Sequence, residues 1–215
     1  MSQMAKPRTR DDDRPLRERI LDAGRARFAR DGFERLTMRA LAGDLGCTAT
    51  AIYKHFADKL ALMQEICDHD LASLQAAFAA AARVVDPLAR LKAIGQGYAA
   101  FALANPHHYR LLFMTPLADD AARAALEVSR TRRGDPAQDG YAALAATVAE
   151  AIGAGLFAAR WRDRHLAAQT LWAGLHGAVS LELDKGNDPW VPWRPATRRM
   201  AAMVDLLVDG MRGSP

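Results

Sequence analysis

Residues 48–59 gather the side chains best suited to chemistry into one short stretch: Thr48, Thr50, Tyr53, Lys54, His55 and Lys59. Threonine hydroxyls of that reach can hydrogen-bond to a base edge or a phosphate oxygen, and the methyl of Ala49 can touch a thymine methyl. Tyr53 offers a hydroxyl on a rigid ring, Lys54 and Lys59 offer cations, and His55 offers a ring nitrogen. Ile52 and Phe56, four residues apart, fall on the opposite face of a helix and can dock it on a scaffold. A short polar face backed by an apolar one is what a helix needs to approach base edges in a major groove. Slightly upstream, Thr37 opens another helix whose outward N–H groups attract phosphate, and Arg39 lies in its first turn.

Several elements must hold these residues. The spacing predicts a first helix from Pro15, with Asp13 as cap, whose apolar face contains Ile20, Leu21, Gly24 and Phe28. Gly24 on that face implies close approach of a neighbouring helix. Gly32 fits a left-handed cap at the helix end, with Phe33 folding back. Thr37 starts a second helix ending near Leu45, and Gly46 supplies a turn with positive φ. Thr48 starts a third helix running to about Phe56. Asp58 caps a fourth, alanine-rich helix reaching about Arg83, where Asp86-Pro87 breaks the chain. Six further helices follow, at about 88–103, 106–114, 119–132, 137–160, 163–186 and 195–212. The fold class is therefore all-α. The expected domains are a polar, disordered arm at 1–14, a helix-turn-helix reader at 15–60, and a ligand-binding and dimerisation bundle at 61–215.

The chain has 215 residues and a formal net charge of +4. Residues 1–60 contain 13 Lys+Arg against 9 Asp+Glu, which is +4, and residues 61–215 contain 16 of each. The excess positive charge thus lies in the same N-terminal segment as these side chains, as a polyanion contact requires. The two cysteines, Cys47 and Cys67, form no disulfide or metal pattern, which suits a reducing cytoplasm. No apolar run reaches the length of a membrane span, so no membrane partner is expected. Adjacent His107 and His108 point in different directions on a helix and have no accompanying ligands, so no metal site is expected. Paired catalytic carboxylates and a nucleophile elbow are missing from the pattern, which argues against an enzyme built on the same bundle.

Residues 17–66 resemble the DNA-binding domain of the tetracycline-repressor (TetR) family. The resemblance rests on Phe28 with Gly32-Phe33, on the run Thr37 to Ala42, on Leu45-Gly46-Cys47-Thr48, and on Tyr53-Lys54-His55-Phe56-Ala57-Asp58-Lys59. It departs from the family at Cys47, where Val is usual, at Thr50, where a small residue such as Gly is common, and at Gly24, usually Ala. The resemblance implies an all-helical homodimer that binds a near-palindromic operator in duplex DNA. It also implies a repressor released by a small-molecule effector, without a cofactor. DNA contacts are expected from Thr37, Arg39, Thr48, Ala49, Thr50, Tyr53, Lys54, His55 and Lys59, with Lys59 as a phosphate clamp at a helix start.

The later half has a second resemblance. Trp172-Ala173-Gly174-Leu175-His176-Gly177, with Asn105-Pro106 through Phe113, resembles the TetR ligand-binding domain named for its Trp-His-Gly signature. Tyr98, Phe101, His108, Tyr109, Phe113, Trp172 and His176 are the expected ligand residues. A mostly apolar lining with a few polar tips suits a hydrophobic or aromatic ligand. The sets Leu171, Leu175, Val179, Leu183 and Met200, Met203, Val204, Leu207, Met211 exceed what one core needs, and the surplus suits a two-fold interface.

Overall fold

The computed structural model describes residues 14–114 and 133–213. The helix expected at 119–132, the Asp13 cap and nearly all of the 1–14 arm lie outside the described residues. Described residues fall into two compact units, one reaching His69 and the other beginning at Asp70.

In the first unit, α1 (Leu16–Arg35) follows Pro15 and bends at Gly32, where φ is 77° and ψ is 175°. The positive φ is as expected of Gly, but this ψ lies outside the left-handed helical region. The chain therefore continues through one more turn to Arg35 instead of stopping in a cap. Helix α2 (Met38–Leu45) starts at Thr37, whose Oγ1 accepts the Ala40 N–H at 3.1 Å. It ends at Gly46, with φ 64° and ψ 30°. Helix α3 (Ala49–Tyr53) starts at Thr48, whose Oγ1 accepts the Ala51 N–H at 3.2 Å. It is shorter than the run to Phe56 read from sequence. Lys54, His55 and Phe56 finish the segment as a tighter turn, donating to the carbonyls of Thr50, Ile52 and Ile52. Helix α4 (Lys59–Ala81) begins with Asp58 accepting the Ala61 N–H at 2.7 Å.

Ile20, Phe28, Leu36, Leu41, Ile52, Leu62 and Ile66 are buried and form the core of this unit. Gly24 is where α1 and α4 come close: a Cβ there would lie 3.0 Å from Ile66 Cδ1 and 3.3 Å from a Leu62 methyl. The departure from Ala at this position thus matches a tight helix crossing.

The second unit contains the rest of α4, then α5 (Pro87–Ala104), α6 (Pro106–Phe113), α7 (Gly140–Gly153), a 3-10 turn at Ala159–Trp161, α8 (Arg164–Lys185) and α9 (Ala196–Gly210). Asp86, Asp139 and Asp163 cap α5, α7 and α8, accepting the N–H groups of Ala89, Tyr141 and His165. The helix expected over 137–160 is interrupted. Gly153-Ala154-Gly155 has low helical persistence, Gly155 takes φ 70°, and Phe157 pairs as an isolated bridge with Arg212. This tie brings the segment after α7 to the end of α9, with Ala158 N–H donating to Met211 O at 2.9 Å.

Two apolar clusters fill this unit. One joins Leu91, Val148, Leu171 and Val208, and the other joins Tyr98, Tyr109, Leu175, Val179, Met200 and Val204. Most of the apolar residues of α8 and α9 that sequence reading held in surplus for an interface are therefore spent on the unit's own core. The exposed large apolar residues on these helices are Leu166, Trp172, Leu181 and Leu206.

Candidate functional site

The first unit exposes the residues expected to meet DNA. Thr37, Arg39, Thr48, Thr50, Lys54 and His55 are exposed, and Ala49 is half-buried. Tyr53 is 52% exposed, while its neighbour Ile52 is fully buried and Phe56 nearly so. A large ring left outside the core one residue from a core anchor leaves α3 with two opposed faces. Thr37 and Thr48 use their oxygens as caps, so each hydroxyl keeps its own O–H to donate.

The scaffold behind these residues is tied by ion pairs. Arg27 binds Asp44 through two hydrogen bonds, at 2.7 and 2.8 Å, joining α1 to α2. The Arg27 hydrogen bonds hold the Asp44 carboxyl below its ordinary range. Arg17 reaches Glu65 at 2.7 Å and lies 5.1 Å over the Phe56 ring, which fixes the turn after α3 from behind.

Lys59 is placed differently from Arg39 and Lys54. Its Nζ donates to the Phe33 carbonyl at 2.9 Å and lies 3.9 Å from the centre of the Phe33 ring.

In the second unit, five of the seven expected ligand residues meet in one network. Trp172 Nε1–H donates to Tyr98 Oη at 3.0 Å, and the two tyrosine hydroxyls are 2.9 Å apart. Tyr109 Oη is 2.5 Å from His176 Nδ1, and His176 Nε2 is 3.4 Å from Ser180 Oγ. With the His176 proton on Nε2, every donor finds an acceptor in one direction: Trp172, Tyr98, Tyr109, His176, Ser180. Phe113 closes the cluster edge-on against Tyr98 at 5.5 Å and tilted against Tyr109 at 5.1 Å. Phe101 and His108 are buried, and the relay as traced runs without them.

Three members escaped sequence reading. Ser180 follows His176 by one helical turn, a spacing that could have flagged it. Met114 receives the Ser180 hydroxyl at 3.9 Å. Tyr141 stands 6.2 Å from the Trp172 ring and bonds His165 Nδ1 at 3.0 Å. It lies in the segment that the overlong 137–160 helix left without a defined face.

Burial raises the Tyr98 and Tyr109 hydroxyls above the ordinary tyrosine range and lowers His176 below its own. The network is thus uncharged near neutral pH. A histidine whose folded pKa is lowered binds fewer protons in the folded than in the unfolded state. Stability from its burial is therefore complete above the unfolded value of about 6.5 and falls as pH drops through that value towards the folded one. Chemical unfolding at pH 7.5 and 5.5 should show this loss, and His176→Gln should reduce the difference between the two.

Comparison with known proteins agrees with this architecture. Residues 20–66 match the model of bacterial regulatory proteins of the tetR family, and residues 91–209 match the tetracyclin repressor-like C-terminal domain. The chain belongs to the TetR family, whose members are DNA-binding transcriptional regulators. No curated protein matches it. Among solved structures, a Rhodococcus protein of unknown function is 24% identical, with TM-score 0.68, covering 93% of this chain and 97% of its own. The TetR regulator PfmR of Thermus thermophilus is 23% identical, with TM-score 0.63 and coverage of 89% and 97%. The ketosteroid regulator KstR2 of Mycobacterium tuberculosis is 17% identical, with TM-score 0.65 and coverage of 93% and 96%. At these identities the likeness is one of fold. No helix among the described residues is long and apolar enough to cross a membrane.

Proposed function

We propose that this regulator is a cytoplasmic repressor that binds a near-palindromic operator as a homodimer and leaves it on binding a small, uncharged, hydrophobic or aromatic compound. The observation that supports the DNA half most directly is the two-faced α3. Ile52 and Phe56 are buried, while Thr50, Tyr53, Lys54 and His55 are exposed. In this reading Thr48, Ala49 and Thr50 approach base edges. Thr37, Arg39, Tyr53, Lys54 and His55 meet the backbone. Two copies present their α3 helices about one helical turn of DNA apart. Exposed Leu166, Leu181 and Leu206 on α8 and α9 are apolar surface that a second copy would cover.

The effector half rests on the uncharged network of Tyr98, Tyr109, Trp172 and His176. Its rings offer apolar contact, and its hydroxyls and imidazole can re-aim a hydrogen bond to a neutral polar group. The compound works by preferring a dimer in which the readers are wrongly spaced, with a coupling of about 1–3 kcal/mol. Helix α4 starts in the reader unit and continues beyond it, so it is the natural lever.

Selection of bound fragments from genomic DNA, followed by footprinting, tests the reading. One protected near-palindrome with two half-sites about a helical turn apart is the expected result. Absence of any preferred fragment would instead favour an architectural DNA-binding protein. Release of that fragment by an uncharged aromatic compound, lost in His176→Phe, tests the effector half.

A further inference from the structure

The Lys59 ammonium faces the end of α1. Phe33, whose carbonyl receives it, is the residue after the Gly32 bend. That same carbonyl also accepts the Leu36 N–H at 3.2 Å, which closes the turn leading into α2. A backbone carbonyl has two lone pairs, and both are used here. The Phe33 ring takes the charge on its face at 3.9 Å. Lys59 is also the first residue of α4, where the helix dipole disfavours a cation. A carbonyl oxygen and a ring face, both electron-rich, offset that disadvantage. The geometry therefore gives Lys59 protein partners that a simple phosphate clamp would not need.

We infer that Lys59 is a positioning residue: it latches the Gly32–Phe33 turn to the start of α4, and so sets where Thr37 and Arg39 at the start of α2 stand relative to α3. It acts on DNA through that turn, without releasing a counterion of its own. The inference rests on the proposed DNA reading for its functional half, while its structural half stands independently of any operator.

The test uses the full-length protein and the duplex recovered by selection with the wild type. Affinity is measured across a salt series for Lys59→Met, which keeps the stem and deletes the charge, for Phe33→Leu, which deletes the ring face, and for the pair together. Phe33→Tyr and Lys59→Arg are the conservative controls. Lys59→Met should weaken binding, Phe33→Leu, which keeps the carbonyl, should weaken it by a smaller factor, the pair should be little worse than Lys59→Met alone, and the salt slope should stay at the wild-type value. Both controls should restore affinity. A slope reduced by about 0.9 in Lys59→Met, with Phe33→Leu binding normally, would make Lys59 a phosphate contact and overturn the inference. Unfolding midpoints of the wild type, Lys59→Met, Phe33→Leu and the pair separate the two halves. Additive shifts in midpoint would overturn the latch itself. Non-additive shifts with no duplex bound by the wild type would uphold the latch and refute the proposed DNA reading, along with the functional half of this inference.

Discussion

Tyr109→Ala is expected to destabilise the second unit by about 3–5 kcal/mol, the scale of truncating a buried aromatic ring. Tyr109 is completely buried, and its ring meets Tyr98 at 5.6 Å, Phe113 at 5.1 Å and His176 at 5.5 Å. Removing it opens a cavity among these rings. Two partners, Tyr98 Oη and His176 Nδ1, also lose a hydrogen bond. The two losses do not simply add, because the cavity borders polar atoms and has room for water. Urea unfolding, compared with wild type at equal pH, gives the value.

Tyr109→Phe separates the terms. It keeps the ring, leaves no room for water, and removes only the hydroxyl. An orphaned buried polar group costs about 1–3 kcal/mol. The structure supplies a bypass, however: Tyr98 Oη lies 3.3 Å from His176 Nδ1 and can redirect its proton there. The expected loss is therefore near the low end, about 1 kcal/mol. In Tyr98→Phe/Tyr109→Phe the bypass is gone, and the double variant should lose more than the two single losses together. Simple additivity would show that the relay is not shared as its distances suggest.

How much of this was legible in the sequence depends on the range of the interaction. The reader was, because its signals are local: Thr37 and Thr48 cap the residues three positions on, and Gly46 turns between them. Gly24 announced the α1–α4 crossing because only a missing side chain explains a glycine on an apolar helical face. The α7 end is only partly legible, since helical periodicity runs on through Ala-rich sequence past its two glycines. Gly153 and Gly155 are the local signals that end it, with Gly155 at φ 70°, and the tie that fixes the following segment, Phe157 to Arg212, is 55 residues apart by numbering. The surplus on α8 and α9 was misjudged for a similar reason. Periodicity shows that Leu175 and Val204 share apolar faces, but not that α5 lies between them and solvent. The Tyr98–Tyr109–His176 relay joins three helices; its aromatic members could be named individually, and only the fold could show which hydroxyl meets which nitrogen. Lys59 carries the same lesson at shorter range. Its place after Asp58 suggested a phosphate, and Phe33, twenty-six residues earlier, was the partner that spacing could not reveal.

On the proposed reading, Arg39→Ala/Lys54→Ala should remove two phosphate contacts while leaving the reader folded, because both side chains are exposed and Lys54 caps α3 only through its backbone N–H, which alanine keeps. Each contact contributes about 0.9 to the slope of log affinity against log salt, so the slope should fall by about 1.8. Extrapolated from 1 M salt, where counterion release contributes nothing, the loss at 0.15 M is about 30-fold, or about 2 kcal/mol. The loss should be nearly uniform across operator variants, since phosphates carry no sequence information. Thr50→Ala, by contrast, should leave the slope unchanged and alter the ranking of those variants, because Thr50 is an exposed hydroxyl that the proposed reading turns towards the bases. An unchanged slope in the double variant would mean that this face does not meet the backbone, and the polarity assigned to the reader would have to be reversed.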